Sequence, residues 1–212
     1  APEAAHGDRG GLPVGAADTL SVSLGAVGNT SLATNGVPVK RLVAGEWLDC
    51  GGTTDSLSAP SIGALYAMAG AFQPDLNLTG RDVYGYSLIK AQIAGEISGS
   101  WDLTDPACGT VGTVIAGSTA EGWSLNAPNS PVNYIATYGA MNGAAMTADY
   151  YGTIWSRGKL GIPQITALGA NPVHGYSIIK FYAGDVSDVS IDSPGGLYTV
   201  YVNQWLDTDA TP

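Results

Sequence analysis

Basic residues are scarce: four lysines and four arginines stand against eighteen acids in 212 residues, a formal net charge of −10. A nucleic-acid groove needs clustered Lys and Arg, and these eight are scattered, so no nucleic-acid partner is expected. An anionic membrane surface is disfavoured for the same reason. Charge of either sign is thin, at 12% of residues, about half the usual ~25%. Long hydrophobic runs are missing as well. The longest, residues 62–72, is too short to span a bilayer as a helix, so no transmembrane helix is expected. Histidine occurs only at positions 6 and 174, and no GxSxG, HExxH, phosphate-loop or dinucleotide pattern is present. With glutamate only at Glu3, Glu46, Glu96 and Glu121, a glycosidase pair has no natural place. The chain is therefore read as a non-enzyme, with no catalytic residue assigned.

Cysteine numbers two. Cys50 and Cys108 each stand beside glycine, in LDCGG and PACGT, and are expected to lie in turns and form one disulfide. Such a bridge would contribute about 4 kcal/mol by chain-entropy reasoning. No CxxC accompanies them, so zinc is not indicated. The chain opens at Ala1 rather than Met. That points to a mature secreted protein at an extracellular surface, with a virus particle as the alternative.

What is abundant is glycine, at thirty residues, with twelve prolines. Long helices do not tolerate that density. Residues 19–24 alternate strictly, with Leu20, Val22 and Leu24 on one face. Further strands are expected at 39–44 (extended past Gly45 by 46–49), 83–98 with a break near Gly95, 110–116, 132–138, 173–182, 186–191 and 197–206. Residues 62–72 read as a short helix or another strand. Asp192, Ser193, Pro194, Gly195 and Gly196 form a strong turn signal, so the last two strands are expected to make a hairpin. The octamer VYGYSLIK at 83–90 returns as VHGYSIIK at 173–180, which suggests an internal duplication with a period of about 90 residues. The expected fold is all-β, a β-sandwich or jelly-roll-like barrel. Its parts are an extended N-terminal arm at 1–18 and β modules at 19–108 and 109–212, separate or merged into one continuous sandwich.

Aspartate outnumbers glutamate by fourteen to four and gathers near turns, Asp185, Asp188 and Asp192 among them. These three are the candidate ligands for a calcium ion. The plainer reading is that Asp side chains bond the local backbone of turns, and no cofactor is required. Trp47, Trp101 and Trp205 recur in similar Leu- and Asp-containing settings. They are either core plugs or a platform on which a glycan stacks. A surface rich in Ser, Thr, Asn, Gly and Ala suits burial against copies of itself, because such side chains lose little rotamer entropy. The favoured function is thus a structural self-assembling subunit. It would build a pilus-like extracellular filament, or else a virion shell or decoration, by strand exchange and subunit packing. Leu20, Val22 and Leu24 are the candidate subunit contacts. The alternative is a secreted carbohydrate-binding module or adhesin.

Overall fold

A computed structural model describes residues 19–51 and 54–206; the expected arm at 1–18 lies outside the described residues. The described chain is all-β, as expected, and contains twenty strands and no helix. It is not a sandwich. Every strand pairing is parallel, and the chain winds as a β-solenoid of nine coils.

Each coil of about 22 residues crosses three faces. The first face stacks nine strands: Leu20–Ser23, Val39–Ala44, Ile62–Ala67, Tyr86–Ile97, Thr110–Thr119, Val132–Thr137, Tyr151–Gly161, Ile178–Ser187 and Leu197–Leu206. A second face stacks eight short strands, from Ser31–Ala33 to Ser190–Asp192. The third is a narrow ladder. In it Val27, Trp47, Phe72, Ile97, Thr119, Met141, Leu160, Val186 and Trp205 follow one another rung by rung. Parallel strands lie about 4.8 Å apart, so the described coils stack over about 38 Å.

The sequence rule behind the first face is not plain alternation. Inward residues fall at positions i, i+3 and i+5, as in Val39, Leu42 and Ala44, Ile62, Leu65 and Ala67, or Val111, Val114 and Ala116, all buried. Equivalent residues pair directly between coils. One row runs Val22, Leu42, Leu65, Ala91, Val114, Ile135, Ile154, Phe181, Val200. Stacking like on like merges these rows into one continuous hydrophobic core.

The expected hairpin is also corrected. The turn at Pro194-Gly195 is present, with Gly196 N–H donating to Ser193 O. Its flanking strands, however, pair elsewhere and in parallel: Ser190–Asp192 with Gln164–Ala167, and Leu197–Leu206 with Ile178–Ser187. The turn rounds a corner of the coil instead of reversing the chain. Residues 62–67 form a strand, not a helix.

The 90-residue repeat has a structural counterpart. Leu88 and Ile178 occupy the same row four coils apart. Both copies build the same corner: Gly85 and Gly175 adopt φ of 86° and 72°. Ser87 and Ser177 are buried, their hydroxyls donating to Gly80 O and Gly169 O while accepting from Gly109 N–H and Gly195 N–H. The repeat therefore marks four turns of a solenoid. Tyr86–Ile97 pairs with Thr110–Thr119, so the sheet passes position 108 without a break.

Tyr151 plugs the core, wholly buried, and its hydroxyl has no hydrogen-bond partner among the described residues. Burial pushes its phenol far above the ordinary value. The unfolded chain ionises this phenol near pH 10, whereas the folded chain keeps it protonated. Stability from this group is therefore complete below pH 10 and is lost as pH rises beyond it. Tyr151→Phe is expected to flatten that alkaline loss and, by removing an unsatisfied hydroxyl, to match or exceed the wild type at neutral pH by about 1 kcal/mol. Urea denaturation of both proteins across this range checks it; parallel alkaline losses would refute the assignment.

Candidate functional site

The three tryptophans singled out in the sequence do not share a surface. Trp47 and Trp101 are wholly buried, Trp47 on the third face and Trp101 on the second. Trp47 meets Phe72 edge-on at 5.9 Å, Phe72 meets Trp101 at 6.3 Å, and Trp101 meets Trp123 at 6.2 Å. This chain of rings crosses the interior. The Trp47 indole N–H donates to Asp55 Oδ2 at 3.0 Å, giving that buried carboxylate a partner. Trp205, by contrast, sits in the last coil, exposed, stacked on Phe181.

The three candidate aspartates are also spread. Asp185 is exposed on Ile178–Ser187, level with Lys159 and Gln204. Asp188 occupies the following turn with φ of 55°. Asp192 ends a second-face strand opposite Thr166. Among the described residues no group of three His, Cys, Asp or Glu side chains is placed to hold a metal ion. Other aspartates do the work of turns: Asp82 Oδ1 accepts from the N–H groups of Tyr84 and Tyr86, and Asp102 and Asp105 accept from Thr104 and Ala107.

Cys50 and Cys108 are free, which corrects the expected disulfide. Cys50 precedes the Leu57 rung of the second face and Cys108 follows the Trp101 rung, two rungs further along. That axial separation of about 10 Å exceeds what a disulfide spans. Cys50 is exposed, while Cys108 is buried with its thiol donating to Leu78 O at 3.0 Å. Burial pushes the Cys108 thiol up. His174 lies exposed in the corner after Asn171, whose Oδ1 accepts from its backbone N–H.

What the fold does bring together is found at its two ends. Leu20, Val22 and Leu24 belong to the first coil, where Val22 and Leu24 are half-buried against the core and Leu20 is exposed. Val27 and Leu32 complete that end on the other two faces. At the far end Leu197, Val202 and Ile191 are half-buried. Position in the stack decides exposure: Val200 is 47% exposed, while Phe181, its neighbour one rung inward, is 0%. The strands Leu20–Ser23 and Leu197–Leu206 close the first sheet, each with one edge unpaired among the described residues. Neither contains a charged residue, and neither do Ala26–Gly28 or Ser31–Ala33. Sequence reasoning singled out the first edge but not the second, whose uncharged ten-residue run was its readable signal.

Among the described residues no helix is long and apolar enough to cross a membrane. No family model, curated protein or solved structure matches this chain.

Proposed function

We propose that this chain is a structural, self-assembling subunit of an extracellular filament or particle, with no catalytic role. The observation that carries the reading is the pair of uncharged sheet edges, unpaired among the described residues, at opposite ends of one solenoid. Soluble proteins guard such edges with charge or proline, because an open edge templates further pairing, and neither edge strand has either; the one irregularity is a register shift at Leu20/Ser21. Solenoids likewise require polar capping repeats to stay apart. The interior coils supply a rigid rod, its cohesion spread evenly over successive rungs. Leu20–Ser23 already pairs with Val39–Ala44 of its own chain. It therefore offers a neighbour its outer edge, and a donated strand would have to come from elsewhere in the chain.

Sedimentation and negative-stain electron microscopy over a dilution series test this. Elongated particles several times the length of one solenoid, shortening on dilution, are expected. Dispersed monomers at high concentration would overturn the proposal. They would favour the second reading, a glycan-binding surface, which has one observation behind it. On the outer side of the first face Trp155, Tyr182 and Tyr201 occupy successive rungs, and Tyr138 packs edge-on against Trp155 at 6.0 Å.

A further inference from the structure

Resting on the assembly reading above, we infer that copies stack head to tail: the outer edge of Leu197–Leu206 in one copy pairs in parallel with the outer edge of residues 20–28 in the next. The occupant of each end that is open among the described residues is thus a second copy of this chain.

Three observations support a second copy as the partner. First, the same contact is already made eight times inside the chain. Each coil presents to the next the same rows, with a register shift in some pairings, and the rows that begin at Leu20, Val22 and Val27 end at Leu197, Val200 and Trp205; Leu20–Ser23 would pass over Tyr198 of the neighbour as it passes over Lys40 of its own chain. A translated copy would set Leu20 on Leu197, Val22 on Val200 and Val27 on Trp205, burying apolar side chains that the isolated chain leaves partly in water. Secondly, the first-face strands at the two ends, Leu20–Ser23 and Leu197–Leu206, carry no charge to repel such a contact, the one charge on the end strands being Asp192 on the second face, and Leu197–Leu206 is rich in the β-branched and aromatic residues that favour pairing. Thirdly, direction matters. All strands run the same way round the axis, so only a translated copy continues the parallel ladder; two copies meeting by the same end would oppose their strands and mismatch the rows. The contact is therefore heterologous, and a repeat by translation and rotation along one axis gives an open filament, not a closed ring.

The test uses the whole chain with Cys50→Ser, so that no exposed native thiol remains. Ser21→Cys and Thr199→Cys are made separately in that background, at the two ends of one outward row. The proteins are mixed under assembling conditions and treated with a short bis-maleimide. Cross-linked dimers are expected in the mixture and not with either variant alone. Cross-linking of Ser21→Cys to itself would overturn the head-to-tail arrangement. So would particles that persist without any cross-link, and in that case self-assembly through another surface would stand. Absence of particles at every concentration would remove both. As a second arm, Val200→Lys buries an unpaired charge at the junction and is expected to raise the concentration needed for assembly at least about tenfold. Its far-UV circular dichroism should not change, because Val200 already meets solvent in the single chain. Unaltered assembly by this folded variant would count against the interface.

Discussion

Gly117→Val is expected to lower stability by at least about 3 kcal/mol, and Gly117→Ala by more than an ordinary surface change. A Cβ at this position would lie 2.6 Å from Ala94 O and 2.8 Å from Gly95 O, both backbone atoms of the preceding coil. Along a strand, side chains point into or out of the solenoid. At this corner the Cβ direction swings onto the stacking axis, where the next rung is only about 4.8 Å away. Only glycine leaves room. The same corner is occupied by Gly95, Gly139, Gly158 and Gly184, each with an added Cβ within 3 Å of backbone in the coil before it. Backbone cannot rotate aside as a side chain does, so the larger residue would have to separate two rungs. Gly122, with nothing within 4 Å of an added Cβ, is the control: Gly122→Ala should stay within about 0.5 kcal/mol of the wild type. Chemical denaturation of the three variants measures the difference, and hydrogen exchange should place the lost protection in the coils around Gly95 and Gly117. Equal stability of Gly117→Val and Gly122→Ala would refute the close-packed corner.

Trp47→Ala carries the other large effect, an expected loss of about 3–5 kcal/mol. The indole is wholly buried and packs edge-on against Phe72, so truncation opens a cavity that the flanking rungs cannot close without breaking register. It also removes the indole N–H that donates to Asp55 Oδ2, a group 1% exposed. Trp47→Phe separates the two contributions. It keeps most of the ring volume but takes away the donor, and should cost about 1–3 kcal/mol. Urea denaturation monitored by far-UV circular dichroism gives both values. A Trp47→Phe protein as stable as the wild type would mean that the Asp55 bond contributes nothing; a Trp47→Ala loss below about 1 kcal/mol would contradict the rigid core.

Several strands could be read directly from the chain. Val39–Ala44 and Leu197–Leu206 have the expected bounds, and Thr110–Thr119 and Val132–Thr137 differ only at their ends. Strand tendency is a property of consecutive residues, so neighbours suffice to reveal it. The solenoid period was also present, in the corner glycines, but unevenly: 19 residues separate Gly139 from Gly158, and 26 separate Gly158 from Gly184. Corners of variable length hide a coil from any search at fixed spacing. The 90-residue octamer match survived because two corners four coils apart kept the same hydrogen-bonded turn.

Composition and local pattern alone determined that the chain is β-rich, broken by frequent turns, poor in basic charge and without a long apolar segment. Which strands pair, and in which direction, was decided only in three dimensions, because pairing depends on residues about 22 positions apart. The two cysteines look alike in sequence, yet they lie two rungs apart and do not meet. Trp47 and Trp205 stand in nearly the same local sequence and on the same row of the third face. One is core and the other surface because one has a coil on both sides and the other, among the described residues, on one side only.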